Sequence, residues 1–85
     1  MMLNFTKQFV RDYRRLPFQI QKQTDKKLEF LLADMRHPSL RVHKIKGQNE
    51  VWEGSITMNY RFTFQIIGER YFMRRVGAHD ILSMP

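Results

Sequence analysis

The chain divides by the period of its apolar residues. Leu3 and Phe5 flank Asn4 in a short alternating stretch, after which Phe9, Tyr13 and Leu16 recur at intervals of four and three, the spacing of one helix face. Pro17 closes that helix and can occupy the first turn of the next. From Phe18 to Met35 the positions Ile20, Leu28, Leu31, Leu32 and Met35 keep a helical stripe, while Gln19, Lys22, Gln23, Lys26 and Lys27 fill the other side. His37-Pro38 ends it, since the residue before a proline is pushed out of the α region. A helical hairpin is expected.

The second half changes to a period of two. LRVHKIK (40–46) is a short basic strand, GQNE (47–50) a turn signal, and VWEGSIT, YRFTFQII and RYFMRRV follow as β-rich segments. The expected fold is α+β over a single domain, residues 1–85: two N-terminal helices packed on a mainly antiparallel sheet of four to five strands.

Pairing assigns the faces. Tyr60, Phe62, Phe64 and Ile66 alternate with Arg61, Thr63 and Gln65, so the even positions face the core. A two-residue turn at Gly68-Glu69 pairs Ile67 with Arg70, Phe64 with Met73 and Thr63 with Arg74. Keeping Trp52 opposite Phe64 and Ile56 opposite Tyr60 requires a loop of three, Thr57 to Asn59, which sets Ser55 beside Arg61 and Glu53 beside Thr63. One polar face then gathers Glu53, Ser55, Arg61, Thr63 and Arg74, with Phe72, opposite Gln65, as its exposed aromatic. On an antiparallel sheet such a face is ordinarily just solvated. Here it carries a carboxylate and two arginines on central strands, and the strand bearing Arg74 runs directly into His79.

Composition narrows the chemistry. There is no cysteine, which excludes disulfides and thiolate metal sites. No run approaches the roughly 18 apolar residues of a membrane span. The N-terminus lacks the apolar core of a signal peptide, so a cytoplasmic protein with no membrane contact is expected. Fifteen Lys and Arg against eight Asp and Glu give a net charge of +7, which points to a polyanionic partner, either nucleic acid or an acidic protein.

A carboxylate, an arginine and a histidine around one surface suffice for RNA cleavage without a metal. A base takes the proton of the ribose 2′-hydroxyl, a guanidinium stabilises charge on the phosphorane-like transition state, and an acid protonates the leaving 5′-oxygen. Arginine's planar fork binds two phosphate oxygens at once, and histidine serves either proton role. This makes His79, Arg61 and Glu53 the candidate catalytic residues. His43, Arg41, Lys44, Lys46, Arg74 and Asp80 are candidate substrate contacts. Each has a plainer reading: His43 as a surface residue, His37 as structural, Asp80 as a residue that orients His79 or caps local backbone. A zinc site from His37, His43 and His79 lacks any ligand-spacing motif, and no metal or other cofactor is expected.

FTKQFVRDYRRLP, RHPSLRVHKIKG, VWEGSITMNYRFTFQI and VGAHDIL, in this order, resemble the RelE/ParE toxins of bacterial type II toxin–antitoxin systems over essentially the whole chain. The resemblance implies a microbial RNase fold whose members mostly cleave mRNA in the ribosomal A site and are silenced by a cognate acidic antitoxin. Operator DNA would be reached only through that antitoxin. Arg61 falls on the arginine of the family's YR strand motif, which binds the scissile phosphate. His79 falls on the C-terminal histidine used as acid or base in the branch related to YoeB and YafQ, and His43 on the histidine before the L-x-G turn of the YafQ-like branch. RelE carries lysines where this chain has Glu53 and Ser55, so its lysine-rich mechanism does not carry over. A glutamate base with a histidine acid takes its place. The rival readings are a ParE-like inhibitor of DNA gyrase, and a silent module that only binds antitoxin.

Overall fold

The computed structural model describes residues 1–85. Strand β1 (Met2–Phe5) leads into helices α1 (Lys7–Arg14) and α2 (Phe18–Ala33), a 3₁₀ turn (Pro38–Leu40), strands β2 (His43–Lys44), β3 (Trp52–Ser55), β4 (Tyr60–Ile67) and β5 (Arg70–Ala78), and a second 3₁₀ turn (His79–Ser83). The five strands lie in the order β1-β5-β4-β3-β2. Only the β1–β5 pair is parallel. The expected α+β class and element order are both found.

Helix α1 starts at Thr6, whose hydroxyl oxygen accepts the Phe9 N–H at 3.2 Å, satisfying one of the unpaired donors of the first turn. The same hydroxyl donates to the Met73 carbonyl at 2.8 Å, which ties the helix start to β5. Six residues later Asp12, only 7% exposed, reaches the edge of β5 just past the point where β1 stops. Its carboxylate accepts from Arg75 Nε at 2.7 Å and from the Val76 N–H at 3.2 Å. A buried carboxylate on an apolar stripe is tolerable only with partners of this kind.

The second helix is shorter than the stripe predicts. It stops at Ala33 because Asp34 turns extended and its carboxylate accepts the Arg36 N–H at 2.9 Å, a local bond that competes with helix propagation. Leu32, expected inside, is 43% exposed. Thr24 is fully buried in the same helix, its hydroxyl donating to the Ile20 carbonyl at 2.7 Å. The hairpin is closed by two hydrogen bonds, Tyr13 Oη to Asp25 at 2.7 Å and Gln21 Nε2 to the Tyr13 carbonyl at 2.9 Å.

The core lies between the helices and one sheet face, where Phe9, Leu31, Leu40, Phe62, Phe64 and Met73 are nearly or wholly inaccessible. A side chain of this kind contributes about 1.5–3 kcal/mol on burial. Phe62 lies flat over Gly54 on the neighbouring strand, so close that a Cβ there would sit 2.2 Å from Cζ of the ring.

The β3–β4 register is as expected, with Trp52 opposite Phe64, Glu53 opposite Thr63 and Ser55 opposite Arg61. The β4–β5 register is as expected from Ile67–Arg70 to Phe64–Met73 and then slips by one: Thr63 pairs with Arg75, not Arg74, and Arg61 with Gly77. A β-bulge at Arg74 takes up the extra residue. It lets Met73 and Val76 both point into the core, although two arginines separate them.

Candidate active face

The face of the sheet turned away from the helices carries the polar side chains. His43 and Glu53 are cross-strand partners on β2 and β3, and Arg61 lies on β4 across from Ser55. Glu53 is the hub: Oε1 lies 3.0 Å from His43 Nε2 and Oε2 lies 3.3 Å from Arg61 Nε. Its side chain is 11% exposed, against 60% for the histidine and 19% for the arginine. A nearly buried carboxylate is thus clamped between an imidazole and a guanidinium, close polar contacts of the kind that burial of a charge demands.

Both ring nitrogens of His43 face oxygen atoms. Nδ1 lies 3.0 Å from the Arg41 carbonyl, a group that only accepts, so that nitrogen must carry hydrogen. Nε2 faces a carboxylate. Arg61 spends Nη1 on the carbonyls of Thr57 and, at 3.2 Å, Tyr60, which fixes the plane of the guanidinium and leaves Nη2 without a protein partner. The Arg61 fork is held rigid at the rim of an open cleft of about 490 Å³, which Arg41 and Ser55 also line.

Other candidate residues fall elsewhere. Arg74 stays on the polar face despite the bulge, donating from Nη1 to Gln65 at 2.8 Å and from Nε to the Pro85 main-chain oxygen at 3.0 Å. Residues 79–85 fold back over this part of the sheet: Ile81 packs on Gly77, and Thr63, expected on the solvated face, is wholly buried beneath Pro85. Lys44 is directed to the opposite face, over the Trp52 ring at 5.3 Å and 3.7 Å from Glu50. This follows from strand alternation, since its neighbour His43 shares the face of Glu53. Lys46 is exposed on the turn between β2 and β3.

His79 begins the second 3₁₀ turn, exposed, two residues past the Gly77 that pairs with Arg61. It forms no hydrogen bond with Glu53, His43 or Arg61. Asp80 shares none with it either, and only the Asp80 carbonyl is engaged, by Ser83 Oγ at 2.9 Å. The three histidines do not converge: the His37 ring stacks on Phe30 at 4.1 Å and binds Ser39, away from the other two. A contributor absent from the sequence reading is Lys27 of α2, which lines the cleft beside Arg61. Nothing in a helix's polar side marks which lysine will meet a distant strand.

The backbone carrying this face aligns with solved structures over nearly its full length. A RelB–RelE antitoxin–toxin complex from Methanococcus jannaschii contains a chain that matches with a TM-score of 0.76 at 25% identity, covering 95% of this chain and 98% of that one. The intact Escherichia coli RelBE toxin–antitoxin complex matches with a TM-score of 0.71 at 25% identity, covering 91% and 94%. The fold is that of the RelE/ParE toxins. YafQ from Escherichia coli shares it at 13% identity, with a TM-score of 0.66 and 94% of each chain covered. No protein-family model matches the sequence, and no curated protein matches it. The resemblance to RelE/ParE toxins read from the sequence is therefore borne out at the level of the fold. Within that fold no helix is long and apolar enough to cross a membrane.

Proposed function

We propose that the protein is the toxin of a toxin–antitoxin pair, a ribosome-dependent mRNA endonuclease acting without a metal and held silent by an acidic antitoxin. The observation that carries this reading is the clamp of Glu53 between His43 and Arg61 beside an open basic cleft. Glu53 accepts the ribose 2′-hydroxyl proton, with His43 fixing the carboxylate. Arg61 Nη2, free of protein partners, meets the scissile phosphate and stabilises its developing charge. His79 protonates the leaving 5′-oxygen. In-line displacement requires base and acid on opposite sides of phosphorus. That fits a base on β3 and an acid beyond β5, with Arg61 on β4 between them.

An acidic antitoxin as partner is supported by the net charge of +7 and by the antitoxin-bound state of the RelE structures that share the fold. In this reading mRNA is the substrate and the ribosome the partner on which it is cut.

Primer extension on a translated reporter mRNA after induction tests the activity. Cuts inside codons that vanish in Arg61→Ala, and recover little in Arg61→Lys, are expected, because lysine keeps the charge and loses the bidentate fork. Removing such a donor costs about 3 kcal/mol, or a few hundredfold in rate. Intact mRNA together with DNA-damage signalling would replace this reading with gyrase inhibition.

A further inference from the structure

The cleft beside Arg61 extends past the reacting groups, around the end of the sheet, to a helix that the proposed chemistry does not use. It opens where the β3–β4 turn meets α2 and the 38–40 turn, and its polar lining is Lys27, Ser39, Arg41, Ser55, Thr57 and Arg61. Three cations and no carboxylate line it. Of the acidic groups that hold cations in this protein, Glu53 takes Arg61 and His43, Asp12 takes Arg75 and Glu50 takes Lys44; Lys27 and Arg41 have none. Two uncompensated cations and the hydroxyls of Ser55 and Thr57 around about 490 Å³ form a space of the size that holds a small ligand, with donors suited to phosphate oxygens.

The backbone also fixes Arg41. It sits in the left-handed region, φ 49°, at the exit of the 38–40 turn, a conformation uncommon outside glycine and asparagine. Its carbonyl accepts from His43 Nδ1 while its side chain lines the cleft, so one residue joins the cleft to the Glu53 clamp. At the rim Met58 is 85% exposed, an apolar surface for a base rather than for a carboxylate.

We infer that this cleft is a second phosphate subsite, in which Lys27 and Arg41 hold a phosphate flanking the scissile one on single-stranded RNA. The inference rests on the endonuclease reading and adds to it a stretch of RNA outside the reacting nucleotides. An acidic protein segment could satisfy the same cations, but the shared Arg61 and the exposed Met58 favour a nucleotide chain.

The probe is a fluorescein-labelled oligouridylate with 2′-O-methyl groups, which cannot be cleaved, and with it a dinucleotide too short to span both sites. Anisotropy over a salt series compares wild type with Lys27→Gln and Arg41→Asn, chosen because glutamine suits a helix and asparagine tolerates positive φ. Each substitution should weaken oligomer binding about fivefold. Each should also lower the slope of log K against log salt by roughly 0.7, the value for one lost single-strand phosphate contact. Dinucleotide binding should stay at the wild-type value in Lys27→Gln, and the melting temperature should stay there in both variants.

Wild-type affinity and slope in both variants would overturn the subsite while leaving the endonuclease reading intact, since the wild-type protein would still bind and cut RNA. Loss of binding to an acidic peptide with RNA binding retained would reassign the cleft to protein docking. Failure of the wild-type protein to bind the oligomer would overturn the subsite alone, whereas failure to cut translated mRNA would remove the endonuclease reading, and the subsite with it.

Discussion

Glu53 Oε1 lies 3.0 Å from Nε2 of His43, whose other ring nitrogen is 3.0 Å from the main-chain oxygen of Arg41. The contact sets a nearly buried carboxylate against an exposed ring, on the face that the RNase reading needs. Glu53→Gln keeps the shape and removes the charge that both His43 and Arg61 face. Single-turnover cleavage should fall by about 10²–10⁴-fold, the usual contribution of a general acid or base. Circular dichroism and the melting curve should show a folded protein. Cleavage at the wild-type rate would remove Glu53 from the chemistry.

His79 supplies the complementary test. Its side chain is exposed and bonded to nothing, so His79→Ala should leave stability within about 0.5 kcal/mol of wild type. If His79 protonates the leaving oxygen, growth inhibition should be lost while antitoxin binding survives. A variant as toxic as the parent returns the turn to a packing role, with His43 as the remaining imidazole on the face.

The stacking of Phe62 on Gly54 makes a steric prediction. A methyl group at residue 54 would overlap the ring, so Gly54→Ala should cost about 2–3 kcal/mol in denaturant unfolding, as overpacked cores do. Gly54→Ala combined with Phe62→Leu should be more stable than the two separate losses added together, because the smaller side chain removes the clash. Simple additivity would mean that the strand accommodates the methyl group by shifting.

The phenol of Tyr13 is pushed up to about 12 from 10.0, first by its hydrogen bond to Asp25, then by burial and by the Asp25 charge. The folded state therefore holds this proton more tightly than the unfolded one. Its contribution to stability is complete below about pH 10 and is lost as pH rises toward 12. Absorbance titration of tyrosinate should show a late-titrating group that Asp25→Asn moves back toward the ordinary range. Tyr71, raised chiefly by burial, should not move with that substitution.

Much of this arrangement is legible in the residues. The alternation of Trp52, Ile56, Tyr60, Phe62 and Phe64 places Glu53 and Ser55 on the face of Arg61, because a one-residue shift of the β3–β4 register would bury charge and expose aromatics. The slip in β5 also has a written signal. Met73 and Val76 are both core residues with two arginines between them, a spacing that a regular strand cannot provide and a bulge can. Less accessible were the arrangements joining distant segments: Asp12 at the β5 edge, Lys27 on the cleft that Arg61 also lines, and Thr63 under Pro85. Each depends on how elements meet in space. A lysine on a helix surface and an aspartate on an apolar stripe look alike in sequence whether or not a partner awaits them.

The meeting of Thr6 and Asp12 with β5 bears on colloidal behaviour. Past Met73 the strand has no neighbour on that side, and a bare row of amides and carbonyls there would template another chain. The Thr6 hydroxyl reaches the Met73 and Arg74 carbonyls, and Asp12 takes the Val76 amide and adds its own negative charge. The side chains that anchor the first helix therefore also work as gatekeepers against edge-to-edge polymerisation. Asp12→Ala should aggregate at concentrations where the parent stays dispersed, beyond what its lower melting temperature alone would produce.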